Sequence, residues 1–228
     1  MGIGMGHPGG GHPGGGRPGV GPAALAQIRS YWHALRRQGG QTLPRRSDID
    51  PRAIEDALTC AFLAERIAPG MARFRLAGMH LADLMGVDVR GMPVSALFDL
   101  DSRPRLSLVL NQVFTVPGIG ELWLEAPKGL GRPALTGRMM LLPLRGEDDV
   151  PLTFGCLITD GPLGRAPRRL AISRAVVETL DMVPAERPAA HRIRLPEFAE
   201  AQTPFVPPPR AEPGRAHLRL VKSDRPHA

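Results

Sequence analysis

Apolar residues first fall into a helical rhythm at Leu25, Ile28, Trp32 and Leu35, spaced i, i+3, i+7 and i+10. That spacing predicts an amphipathic helix from Pro22 to the Gly39-Gly40 pair, with Arg29, Arg36 and Arg37 on its other faces. A second helix is predicted to open at Asp50-Pro51. The Asp50 carboxylate suits the N-cap, where it accepts an orphan backbone N–H, and Pro51 suits the first helical position, where no donor is needed. Ile49 and Ile54 have the spacing of a hydrophobic staple around that cap. The helix should run to about Leu58 and hand over to a strand, Thr59 to Ile67, that turns at Pro69-Gly70.

The rhythm then shortens to two. Arg73-Phe74-Arg75-Leu76 alternates charge with apolar bulk, the mark of a half-buried strand. A short helix from His80 to Met85 is closed by Gly86, and a loop follows from Asp88 to Gly91. Ser102 opens a longer helix whose Leu106, Val109, Leu110, Val113 and Phe114 trace one face. Three strands come next: Glu121–Glu125, Arg138–Leu144 and Leu152–Thr159, the last two joined by the polar hairpin loop Gly146–Asp149. Ile172, Val176 and Leu180, at i, i+4 and i+8, predict a final helix from Arg169 to Asp181. Two strands, a helical crossing and three antiparallel strands together close a five-stranded antiparallel sheet with helices on one face, an α+β architecture.

At this level of detail the sequence resembles a known family. Arg73-Phe74-Arg75-Leu76-Ala77-Gly78, then Leu81, Leu84-Met85-Gly86, Asp88 and Arg90-Gly91-Met92-Pro93, is similar to the strand–helix–loop signature of PAS domains. More narrowly, Trp32 through Ile49-Asp50-Pro51 to Gly91 resembles an alphaproteobacterial group of PAS-like proteins of unassigned function. The resemblance covers about residues 25–161 and implies a PAS fold with a sensory or regulatory role. It brings no catalytic or binding residues with it. The expected organisation is a Gly/His/Pro tail over 1–21, a PAS-like domain with its N-terminal helices over 22–161, a C-terminal helix over 162–182 and a Pro/Arg-rich tail over 183–228. Both tails are expected to be largely disordered, with His217–Val221 as a short docked strand or partner-binding peptide. His7 and His12 on their Gly-Pro tether make a poor metal site.

Composition narrows the function classes. Hydrophobic residues make up 43% of the 228, enough for a substantial core, while the 27 glycines and 25 prolines crowd the two ends. The net charge is +7, yet the basic residues are scattered, and aromatics at 4% leave little for base stacking. A basic nucleic-acid-associated protein therefore stands as a rival whose affinity would fall steeply with salt. Cys60 and Cys156 lack metal-ligand spacing and a disulfide framework, and their apolar neighbours predict buried, unreactive thiols. No stretch approaches the roughly 20 apolar residues of a membrane span, and the N-terminus lacks the pattern of a signal peptide. The expected location is the cytoplasm. No nucleophile elbow, phosphate-binding glycine loop, metalloprotease motif or kinase signature is present, so the chain is expected to be non-enzymatic. Glu147-Asp148-Asp149 reads as solvated hairpin charge.

Two surfaces remain as candidate sites. Phe74, Leu76, Leu84, Val113, Phe114, Leu124, Phe154 and Cys156 are expected between sheet and helices, either as a filled core or around a small cavity for an apolar ligand. No cofactor is expected. A haem would need an axial ligand, for which His80, expected at the surface, is the only candidate by position; a flavin would find only Asn111 and Gln112. The second surface is the reverse face of the sheet. With Leu122 and Leu124 inward, Trp123 lies on that face between Glu121 and Glu125, and alternation adds Met140, Leu142 and Leu157. The stripe Leu25, Ile28, Trp32 and Leu35 is the right kind of cover, supplied by the same chain or exchanged in a homodimer. The expected partners are a second copy or another signalling protein, with no membrane.

Overall fold

The computed structural model describes residues 21–181; both tails, the two N-terminal histidines and the His217–Val221 segment lie outside them. Helix α1 spans Pro22–Gln38, with Pro22 in its first turn. After two short 3-10 segments, Arg46–Asp48 and Pro51–Ala57, come β1 (Ala61–Ala68), β2 (Met71–Ala77), α2 (Met79–Met85), a 3-10 turn at Val94–Leu97 and α3 (Arg103–Thr115). The remainder is strand: β3 (Gly118–Ala126), β4 (Leu135–Arg145), β5 (Pro151–Asp160) and β6 (Ala171–Thr179). One antiparallel sheet holds all six strands in the order β2-β1-β5-β4-β3-β6.

Several local signals act as the residue chemistry requires. The Asp50 carboxylate accepts the Arg52 N–H at 3.0 Å, and Ile49 and Ile54 join one apolar layer. The element they open is 3-10 rather than α-helical. Gly86 ends α2 with φ +72°, the left-handed conformation that glycine adopts without steric cost. Ser102 precedes α3 but does not cap it; its hydroxyl accepts the Ile172 N–H at 2.9 Å and ties the helix start to β6.

The predicted C-terminal helix is a strand. Residues at i, i+4 and i+8 repeat at even intervals and so fit period two as well as 3.6, and the β-branched run Val176-Val177 with Ile172 and Thr179 favours the pleat. A bulge opposite Trp123 and Leu124 places Ile172 and Val176 on opposite faces. The sheet therefore has six strands instead of five.

It also carries helices on both faces rather than one. On the inner face, α2 and α3 bury Leu84, Leu106, Val109 and Val113 against Phe62, Phe74, Leu122, Leu124, Leu141 and Leu157. On the outer face, α1 lays Leu25, Ile28 and Trp32 over Met140, Leu142, Phe154 and Cys156. Leu35 is only half-buried, and Arg36 takes the next buried position of the stripe, its guanidinium bonded to the Asp181 and Gln41 carbonyls. The stripe is thus spent within its own chain.

β5 shows how register settles a face. Leu152, Phe154, Cys156 and Ile158 share one face of the strand, toward α1. Cys156 pairs with Met140, and Met140 pairs with Glu121. Directly opposed residues share a face, so Cys156 lies with Glu121 and not with Leu122. Leu157, expected outside, is inside for the same reason. Gly155 opposes Phe62, whose ring lies where a Cβ would stand, 2.1 Å from its nearest atom. That ring meets Phe74 edge-on at 5.3 Å between centroids.

Candidate functional site

The expected pocket residues separate into three environments. Phe74, Leu84, Val113 and Leu124 are buried together in the inner layer, with Phe114 packed partly against it. Phe154 and Cys156 belong to the outer layer. Leu76 is exposed, on the outer side of the edge strand β2. These eight residues do not line one cavity. Of the expected interface residues, Leu25, Ile28, Trp32, Met140 and Leu142 are buried beneath or within α1. Leu35, on α1, and Trp123, on β3, are half-buried, and Trp123 lies outside the layer that α1 covers.

Trp123 is held by its strand neighbours. It pairs with Arg138 on β4 and Arg174 on β6, and their guanidinium carbons lie 5.2 and 4.6 Å from its ring centroid. A cation over an indole face is attracted by the ring quadrupole, worth about 0.5–1 kcal/mol at an exposed site. Glu121, on the same face, receives Arg138 at 3.2 Å and also pairs with Arg29 of α1. Arg29 reaches Glu178 of β6 at 2.7 Å. Val176 adds exposed apolar surface beside this cluster.

A different concavity lies at the β1–β2 end of the sheet. Its volume is about 570 Å3, and Ile54, Leu58, Leu63, Leu76, Met79 and Val89 form much of its wall. Of the expected pocket residues, Leu76 and Phe154 reach it, while sequence reasoning missed the rest of its wall. Leu58 and Met79 fall where two elements meet, 39% and 62% exposed, and no single-element periodicity joins them. Arg90 at its rim folds back on Asp88, with Nε donating to the carboxylate at 2.7 Å and the backbone N–H at 3.0 Å. Those bonds hold the Asp88 carboxyl below its usual range. The pair closes the loop after α2.

Three buried polar groups are structural. His80, expected at the surface, is only 7% exposed. Its Nε2 lies 3.0 Å from the Thr159 hydroxyl, and burial lowers its pKa because the charged ring would lose water. It faces the sheet rather than an open cavity. Arg168, also unforeseen, is buried and donates to the carbonyls of Pro133, at 2.7 Å, and Leu163. It pins two loops to one another. The two cysteines, 96 positions apart in the chain, touch. Hydrogen bonding between them lowers the Cys60 thiol and, with burial, pushes Cys156 upward. Among the described residues no group of three or more His, Cys, Asp or Glu could hold a metal ion. No described helix is long and apolar enough to cross a membrane.

The fold is mixed α+β, with one antiparallel sheet, a short helix closed by a left-handed glycine and a longer helix before the later strands. A family model described as PAS domain matches residues 20–158, more than half the chain. The protein belongs to the PAS domain family. Comparisons with curated proteins and with solved structures found no match. The family match stops before β6, the strand that brings Arg174 to Trp123.

Proposed function

We propose that this PAS domain is a non-enzymatic cytoplasmic regulator that acts by docking on another protein, with a second copy of itself as the first partner to test. The observation that carries the reading is Trp123 between Arg138 and Arg174 on the part of the outer face that α1 leaves open. Tryptophan and arginine are among the residues most enriched at interface hot spots. Family membership supports a sensory or regulatory role. Because α1 satisfies its apolar stripe internally, helix exchange between chains is not required for folding.

Native mass spectrometry and light scattering of the full chain over the micromolar range test the proposal. The wild type should show a dimer, and Trp123→Ala or Arg174→Ala should return it to monomer with circular dichroism unchanged. A monomeric wild type, or a dimer indifferent to both substitutions, overturns this surface as the self-docking site.

A further inference from the structure

The concavity at the β1–β2 end is divided by polarity. The apolar groove walled by Leu58, Leu76 and Met79 adjoins a second compartment, of about 590 Å3, that contains Glu65, Arg73, Arg75 and Glu147. Arg46, Leu63 and Leu76 line both, so Arg46 stands where the two meet. The polar compartment holds three arginines against two carboxylates. Glu65 is shared by Arg73 and Arg75 at 3.4 Å each, while Arg46 reaches Glu147 only at 3.9 Å. The Arg73 and Arg46 side chains are 42% and 51% exposed, so their guanidinium groups are open to the compartment. The surplus of guanidinium over carboxylate in this compartment favours an anion.

We infer that this two-part concavity binds a free, medium-chain aliphatic carboxylate, its head at Arg46 and Arg73 and its tail along the groove. The assignment follows from the wall chemistry. The apolar part is largely leucine, isoleucine, methionine, valine and alanine, which suits a flexible alkyl chain, and its volume lies within the range of small-molecule sites, about 300–1,000 Å3. The exposed apolar area at Leu76 and Met79, 47% and 62% open, would be covered by the tail. An uncharged or cationic head would leave the arginine surplus unanswered. The site lies toward the β2 edge of the sheet, away from Trp123 near the β6 edge, and stands independently of the docking proposal.

Decanoate, kept below its micellar concentration, is the probe. Calorimetric titration of the full chain is paired with NMR of methyl-labelled methionines, because Met79 lines the groove while Met139 is buried in the inner layer. The expected result is saturable one-site binding that moves the Met79 methyl and leaves Met139 in place. Arg46→Glu and Met79→Glu, both at exposed positions, should each weaken binding at least tenfold. Decyltrimethylammonium should bind at least tenfold more weakly than decanoate, and Trp123→Ala should bind decanoate as the wild type does. Absence of binding, equal binding of the anionic and cationic amphiphiles, a response centred on Met139, or full affinity in Arg46→Glu would each overturn the inference.

Discussion

The indole Nε1 of Trp32 donates to the Pro143 carbonyl at 3.0 Å in a buried setting. Proline is tolerated here because β3 pairs with β4 only as far as Leu141, so the missing N–H forfeits no bond on that side. The free carbonyl that remains is answered by the helix instead of a strand. Trp32→Phe keeps most of the ring but leaves that carbonyl without its donor. It should destabilise the fold by about 1–3 kcal/mol, read as a lower urea midpoint at unchanged slope.

Gly155 and Phe62 form the complementary lesson on the inner face. Gly155→Ala drives a methyl into the Phe62 ring, 2.1 Å from its nearest atom. A cost of about 1–3 kcal/mol is expected from overpacking. Phe62→Leu combined with Gly155→Ala should cost less than the sum of the two single changes, and strict additivity in thermal unfolding would refute the contact.

Arg168 supports its loops through carbonyls. Arg168→Met removes both donors from part-buried carbonyl oxygens and should cost about 1–3 kcal/mol. Arg168→Lys should recover part of it. Hydrogen exchange should report the loss as faster exchange at Arg165, whose N–H bonds the Gly131 carbonyl at 2.8 Å.

His80 sets a pH dependence whose sign follows from burial. Its folded pKa lies below the ordinary 6.5, so the unfolded chain takes up the proton first as pH falls. Stability is full above about 6.5 and declines as pH drops from there toward the folded pKa, below which the loss levels off. His33 shifts the same way, with burial as the largest cause and Arg29 next. His80→Gln should therefore flatten, without abolishing, the decline in denaturant midpoint between neutral and mildly acidic pH. An unchanged slope would contradict the assignment.

Much of the element order was legible because it rests on local chemistry. The α1 stripe, the Asp50 cap, Gly86 after α2 and the alternation along β2 and β5 each follow from periodicity or from one residue's conformational needs. The PAS signature around Arg73–Pro93 lies in that same local stretch. The Ile172–Leu180 stretch was misread because its spacing satisfies two periods at once.

What the amino-acid order determined by itself was period: which residues along a strand or helix share a side. Phase, meaning which side is the inside, belonged to the tertiary structure, because it is fixed only when register couples one strand to the next. Phe154, Cys156 and Leu157 changed layers on that account, and His80 went from surface to interior. The contact between Cys60 and Cys156, the stacking of Trp123 with Arg174 and the groove between Leu58 and Met79 join residues far apart along the chain. Such meetings come into being when the sheet closes, since no local preference of either partner encodes them.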